Sequence, residues 1–181
     1  RNYAMNQANL QLAYTGMMRS SYRQSWFAES VLYADTLSSL PGIDEAHHTE
    51  ASFYKAKALN EQNQTDSALD LFRRLTLARN GAISAEARYN VAAIYLKQGK
   101  LKEAEQMAGE TIKKSAGQDF SIVKSYILLG DILTRQKDYF NARATLQSVV
   151  KNTKIPELKA EAARKLDIVK ELEKNASKLE D

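Results

Sequence analysis

Residues 91–104 read Val91-Ala92-Ala93-Ile94-Tyr95-Leu96-Lys97-Gln98-Gly99-Lys100-Leu101-Lys102-Glu103-Ala104. Apolar residues spaced three and four apart lead into a polar break at Gly99, after which the spacing resumes. That is the pattern of two amphipathic helices joined by a tight turn. The small residues Ala92 and Ala104 lie twelve positions apart, one on each helix, where two backbones could approach closely.

The same pair recurs along the chain. Gly16, Ala56, Ala92 and Gly130 are each followed twelve positions later by Ala28, Ala68, Ala104 and Ala142. Four positions further on stand Leu32, Phe72, Ala108 and Leu146. With the first small residue as position 8, the repeats begin at 9, 49, 85 and 123, giving periods of 40, 36 and 38 residues. Self-similarity at this period marks a stacked-helix repeat. The constant spacing within a repeat keeps its helices in register, while the connections between repeats tolerate insertion.

Four helix pairs follow: 3–20 with 24–39, 44–62 with 65–79, 84–97 with 101–115, and 120–136 with 139–152. Pro41-Gly42 breaks the chain after the first. Asn80-Gly81 reads as a left-handed stop after the second, and Gly117 closes the third. Thr65 or Asp66 is the expected cap of the fourth helix, and Asp138 that of the eighth. A last helix opens at Pro156-Glu157, since Pro suits the first helical position and Glu the positive helix start. Its stripe of Leu158, Ala162, Leu166, Val169, Leu172, Ala176 and Leu179 reads as the cap of the stack, with a coiled-coil dimer as the alternative.

Composition agrees with this reading. Apolar residues make up 44% and charged residues 27%, as in ordinary folded chains, and only 7 Gly and 2 Pro interrupt helix formation. The formal charge of +4 is spread among acidic neighbours, so no basic block points to nucleic acid or a lipid surface. Absence of cysteine excludes disulfides and thiolate metal sites. Apolar runs such as Tyr126-Ile127-Leu128-Leu129 are too short to span a bilayer. The chain starts at Arg1 without an initiator Met and reads as a fragment of a longer protein.

The third repeat carries Val91-Ala92, Tyr95, Gly99 and Ala104; the fourth carries Tyr126, Leu129-Gly130, Leu133 and Ala142; the second carries Ala56, Leu59, Ala68 and Phe72. These residues resemble the tetratricopeptide repeat (TPR). Lys55 and Asn63 depart from its pattern in the second repeat, and Thr15, Arg19 and Arg23 in the first. The resemblance implies an all-α, right-handed TPR-type solenoid of four helix pairs plus a long C-terminal capping helix. Its divisions are a divergent repeat at 1–42, repeats at 44–82, 83–118 and 119–154, and the cap at 156–178. The stretches Leu37-Ser38-Ser39-Leu40-Pro41-Gly42 and Tyr126–Leu133 also resemble the C-terminal part of large bacterial cell-envelope TPR proteins, which implies a periplasmic or envelope location, with the cytoplasm as alternative.

Catalytic constellations are missing from the sequence. His47-His48 are adjacent and point about 100° apart on a helix, so they cannot clamp a metal as an i, i+4 pair would. No nucleophile elbow and no phosphate-binding loop occur. The expectation is a non-catalytic protein-interaction scaffold without cofactor or metal.

In the family, positions 2, 5, 9 and 12 of each first helix line a concave groove. Carried onto this sequence, the resemblance assigns partner binding to Phe53, Lys57, Asn60, Tyr89, Ala93, Lys124, Ile127 and Asp131. Such a groove suits an amphipathic helix or extended peptide. Two readings of Phe53, Tyr89 and Ile127 stand side by side, ligand anchors and packing between neighbouring repeats. The family's carboxylate clamp is not reproduced: Asn90 and Lys124 match it, but Phe53, Lys57 and Leu128 do not. The first repeat is rich in aromatics and Met, and Met17, Met18, Tyr22 and Trp26 are the expected self-association face. The alternative to groove binding is a structural spacer or oligomerisation module without a ligand of its own.

Overall fold

The computed structural model describes residues 2–178, and Leu179, the last position of the C-terminal stripe, lies outside them. The described residues form helices and no strands, as the sequence predicts. In order these are α1 (Asn2–Arg23), α2 (Phe27–Ser38), α3 (Glu45–Glu61), α4 (Thr65–Leu75), α5 (Gly81–Lys97), α6 (Leu101–Lys114), α7 (Asp119–Arg135), α8 (Tyr139–Asn152) and α9 (Pro156–Ser177). They fall into two compact units, Arg1–Ala87 and Arg88–Asp181, with α5 contributing residues to both.

The turns inside the four helix pairs are built alike. One residue in each adopts the left-handed conformation: Ser25 (φ 61°), Asn63 (61°), Gly99 (75°) and Lys137 (64°). The next amide in each case closes the preceding helix: Trp26 N–H to Ser21 C=O, Gln64 to Leu59, Lys100 to Tyr95, and Asp138 to Leu133, all at 2.9 Å. This is the Schellman arrangement, which satisfies carbonyls that a helix end leaves orphaned. A left-handed residue therefore sits seven positions after position 8 in every repeat.

That geometry corrects the register of the first repeat. Gly16 and Ala28 are both exposed, and among the described residues nothing lies within 4 Å of where a Gly16 side chain would begin. The turn lies at Ser25, so position 8 is Met18 and position 20 is Ser30. The Ser30 hydroxyl donates to the Met18 carbonyl at 3.2 Å, and both residues are fully buried. The repeats accordingly begin at 11, 49, 85 and 123, with periods of 38, 36 and 38. Position 24 becomes Ala34 rather than Leu32, which is 60% exposed. The shift carries a large Met to position 8 and a small Ala to position 24, the reverse of Ala56 with Phe72 and of Gly130 with Leu146, while the third repeat is small at both, with Ala92 and Ala108.

With this register, positions 8, 20, 24 and 27 are buried in all four repeats: Met18, Ser30, Ala34 and Leu37 in the first, and Gly130, Ala142, Leu146 and Val149 in the fourth. In unit one, α1 packs on α2 and α3, and α3 packs on both α2 and α4. Met18, Ala34, Leu37 and Ala51 make one core cluster there. In unit two, α7 packs on α6, α8 and α9. The stripe residues Leu158, Ala162, Leu166 and Val169 of α9 close its core against Ile127, Leu133, Ala142, Leu146 and Val149.

Helix α4 ends at Leu75 rather than at 79, and two expected caps differ. Asn80 is an N-cap, not part of a left-handed stop: its side-chain oxygen accepts from Ala82 N–H at 3.1 Å and Ile83 N–H at 3.2 Å, and Gly81 opens α5. An Asn just before a helix satisfies orphan amides better than it ends the helix before it. Neither Thr65 nor Asp66 caps α4, because the chain already turns at Asn63 and leaves Gln64 at the cap position. Asp138 does cap α8, accepting from Asn141 N–H at 3.1 Å.

Candidate functional site

The first helices of the repeats carry the candidate groove residues, and the structure divides them between buried and accessible. In unit one, Phe53 is only 6% exposed and meets Tyr54 and Phe72 edge-on at 5.9 and 6.4 Å between ring centroids. It is a core residue of that unit. Lys57 and Asn60 remain partly accessible on the same helix. In unit two, Ile127 is 2% exposed and belongs to the core cluster, whereas Tyr89, Ala93, Lys124 and Asp131 are partly accessible.

Lys57 sits in a dense electrostatic setting. Its ammonium donates to Glu86 Oε1 at 2.9 Å and lies 4.9, 5.1 and 5.8 Å from the ring centroids of Tyr22, Phe53 and Tyr54. Burial disfavours the charged form, but the hydrogen bond and charge of Glu86, with Tyr22 and Tyr54, outweigh it and raise its pKa. Burial likewise raises the Tyr22 phenol, against the lowering effect of the Lys57 charge. In unit two the Lys124 ammonium lies 4.1 Å from the Tyr89 ring and 5.7 Å from that of Phe120. Asp131 accepts from Lys165 of the last helix at 2.7 and 3.0 Å.

The rim charges thus bond to neighbouring repeats. One such pair escapes the sequence reading altogether: Arg19 donates through Nε and Nη2 to both carboxylate oxygens of Glu50, at 2.5 and 2.7 Å. In the corrected register Arg19 is position 9 and Glu50 position 2 of the next repeat. Lys57 and Glu86 occupy the same two positions one repeat later. Opposite charges at those positions were the available signal, but it is visible only once the first repeat is shifted by two.

The expected self-association face is also divided. Met18 is fully buried and is corrected to a core position, because it faces into the first helix pair. Tyr22 is half-buried between Phe27 and Tyr54, at 5.6 and 5.5 Å. Met17 and Trp26 are exposed, Trp26 at 55%. His47 stands at the start of α3 with its Nδ1 2.8 Å from the carboxylate of Asp44, the N-cap of that helix. Among the described residues no helix is long and apolar enough to cross a membrane.

Comparison with known families gives two matches. A family model described as "Anaphase-promoting complex, cyclosome, subunit 3" matches residues 21–111, half of the chain. A tetratricopeptide repeat model matches residues 124–152. The complex named in the first description is that of the proteins it was drawn from. No curated protein matches the chain.

Proposed function

The chain belongs to the tetratricopeptide-repeat family, and from that membership we propose that it is a non-catalytic interaction scaffold that captures a peptide or helix of a partner protein on its first-helix rows. Repeats of this family commonly mediate protein–protein interaction. The observation that carries the proposal is the register of the first helices. It sets half-buried Tyr22, Lys57 and Asn60 in one unit, and Ala93, Lys124 and Asp131 in the other, at recurring accessible positions, with Tyr89 accessible at the position where the other repeats bury Thr15, Phe53 and Ile127. Phe53 and Ile127 form the floor beneath them, leaving Tyr89 as the aromatic anchor to test. Partner capture from the native cell by Tyr89→Ala should fall severalfold against wild type while helicity is retained. Equal capture by the folded variant would remove the row from the mechanism.

A spacer without its own ligand is the second reading. The involvement of Arg19, Lys57 and Asp131 in bonds between repeats favours it. Pull-downs that succeed only with a longer form of the protein would support it. The bacterial envelope location belongs to the same proposal, and fractionation of the native cell tests it. So does self-association through exposed Met17 and Trp26, for which a monomer by light scattering at high concentration is the disproof.

A further inference from the structure

Among the described residues, ion pairs join the first helix of one repeat to the first helix of the next, or to the last helix. Arg19–Glu50 ties α1 to α3, Lys57–Glu86 ties α3 to the unit-one part of α5, and Asp131–Lys165 ties α7 to α9. Each takes its first member from position 9, and two take the second from position 2 of the following repeat. We infer that these pairs form a ladder of ionic rungs that sets the spacing of successive first helices and yields to ionic strength.

Three observations support this. Two of the rungs bridge helices that also share an apolar cluster, α1 with α3 through Met18 and Ala51 and α7 with α9 through Ile127 and Leu166, so breaking such a rung leaves the helices in place but free to adjust. Every rung is partly exposed: the side chains of Arg19 and Glu50 are 44% and 20% accessible, and those of Lys57 and Glu86 23% and 41%. Partly exposed pairs are weak singly and screened by salt, which makes them adjustable where a sealed pair would be permanent. Finally, Arg19 engages Glu50 through two parallel bonds, a geometry that fixes orientation as well as distance. The inference does not depend on a ligand, since it concerns the separation of helices within a unit.

The test measures that separation in unit one. The chain has no cysteine, so Leu12→Cys and Ala82→Cys, both at exposed positions, can be spin-labelled uniquely. Electron–electron resonance then gives the inter-label distance in about 0.01 M and about 1 M sodium chloride, between which the screening length falls from about 30 to about 3 Å. The expected result is a narrow, shorter distribution at low salt and a longer, broader one at high salt. Glu50→Gln with Glu86→Gln should give the long distance at low salt and no further response. Arg19→Glu alone should lengthen the distance at low salt, and adding Glu50→Arg to it should restore the short distance. The same distribution at both salt concentrations in wild type would overturn the inference. A salt response that persists in the double Gln variant would do so equally, as would failure of the exchanged rung to restore the short distance.

Discussion

Leu146 fills the space that a side chain at Gly130 would need: a Cβ built there would lie 2.7 Å from Leu146 Cγ and 2.8 Å from Cδ2. A Cβ built at Gly16, which the sequence pattern treats as the same position, meets nothing within 4 Å among the described residues. The two glycines should therefore respond oppositely to alanine. Gly16→Ala should stabilise the chain by about 0.5–1 kcal/mol through helix propensity. Gly130→Ala gains the same propensity but overpacks a buried leucine, at a cost of about 1–3 kcal/mol, so a net loss is expected. Denaturant midpoints of the two variants check both signs.

The left-handed turn residues give a second contrast. Ser25 and Lys137 hold φ values near those of Gly99 without being glycine, a conformation that costs an L-residue about 1–2 kcal/mol. Lys137→Gly and Ser25→Gly should each raise stability, by up to about 1 kcal/mol once the freer unfolded chain is counted. Gly99→Ala should lower it by a similar amount. Thermal melts of the three variants decide the matter.

Ser125 lies at position 3 of the fourth repeat, where the second and third carry Ala51 and Ala87, and all three are fully buried. Among the described residues its hydroxyl finds no hydrogen-bond partner, and a buried polar group without one costs about 1–3 kcal/mol. Ser125→Ala is expected to stabilise by about 1 kcal/mol. A melting temperature below wild type would contradict this.

Phe53 separates packing from binding. Truncating a buried phenylalanine costs about 3–5 kcal/mol, so Phe53→Ala should unfold at clearly lower denaturant, whatever it does to partner capture. Tyr89→Ala, at a partly accessible position, should move the midpoint far less. Urea titration of both variants distinguishes a floor residue from a surface one.

Alkaline pH acts on the Lys57 cluster. The folded-state pKa values of Lys57 and Tyr22 are both raised, so the native chain holds these protons more tightly than the unfolded one. Their contribution is complete below the ordinary lysine and tyrosine range, about pH 10, and is lost as pH rises through the raised values. Stability should fall there, and Lys57→Met with Tyr22→Phe should flatten that limb. An unchanged alkaline limb in the double variant would show that other groups govern it.

The sequence by itself determined the helical class, the four-pair organisation, and the register of the last three repeats. Those repeats advertise themselves locally: Ala56 with Ala68, Ala92 with Ala104, and Gly130 with Ala142 are small on both helices, and the turn residue follows at a fixed distance. The first repeat does not. Its contact is made by Met18 and Ser30, and its smallness is displaced to Ala34, so a search for small residues selects Gly16 and Ala28 on the exposed side. Only the tertiary structure decides this, because burial depends on what the facing helix brings to a position and not on the size of the residue that stands there. The same reason separates buried Phe53 and Ile127 from accessible Tyr89, and reveals the Arg19–Glu50 rung, since burial and pairing are properties of what a neighbouring helix brings to a position.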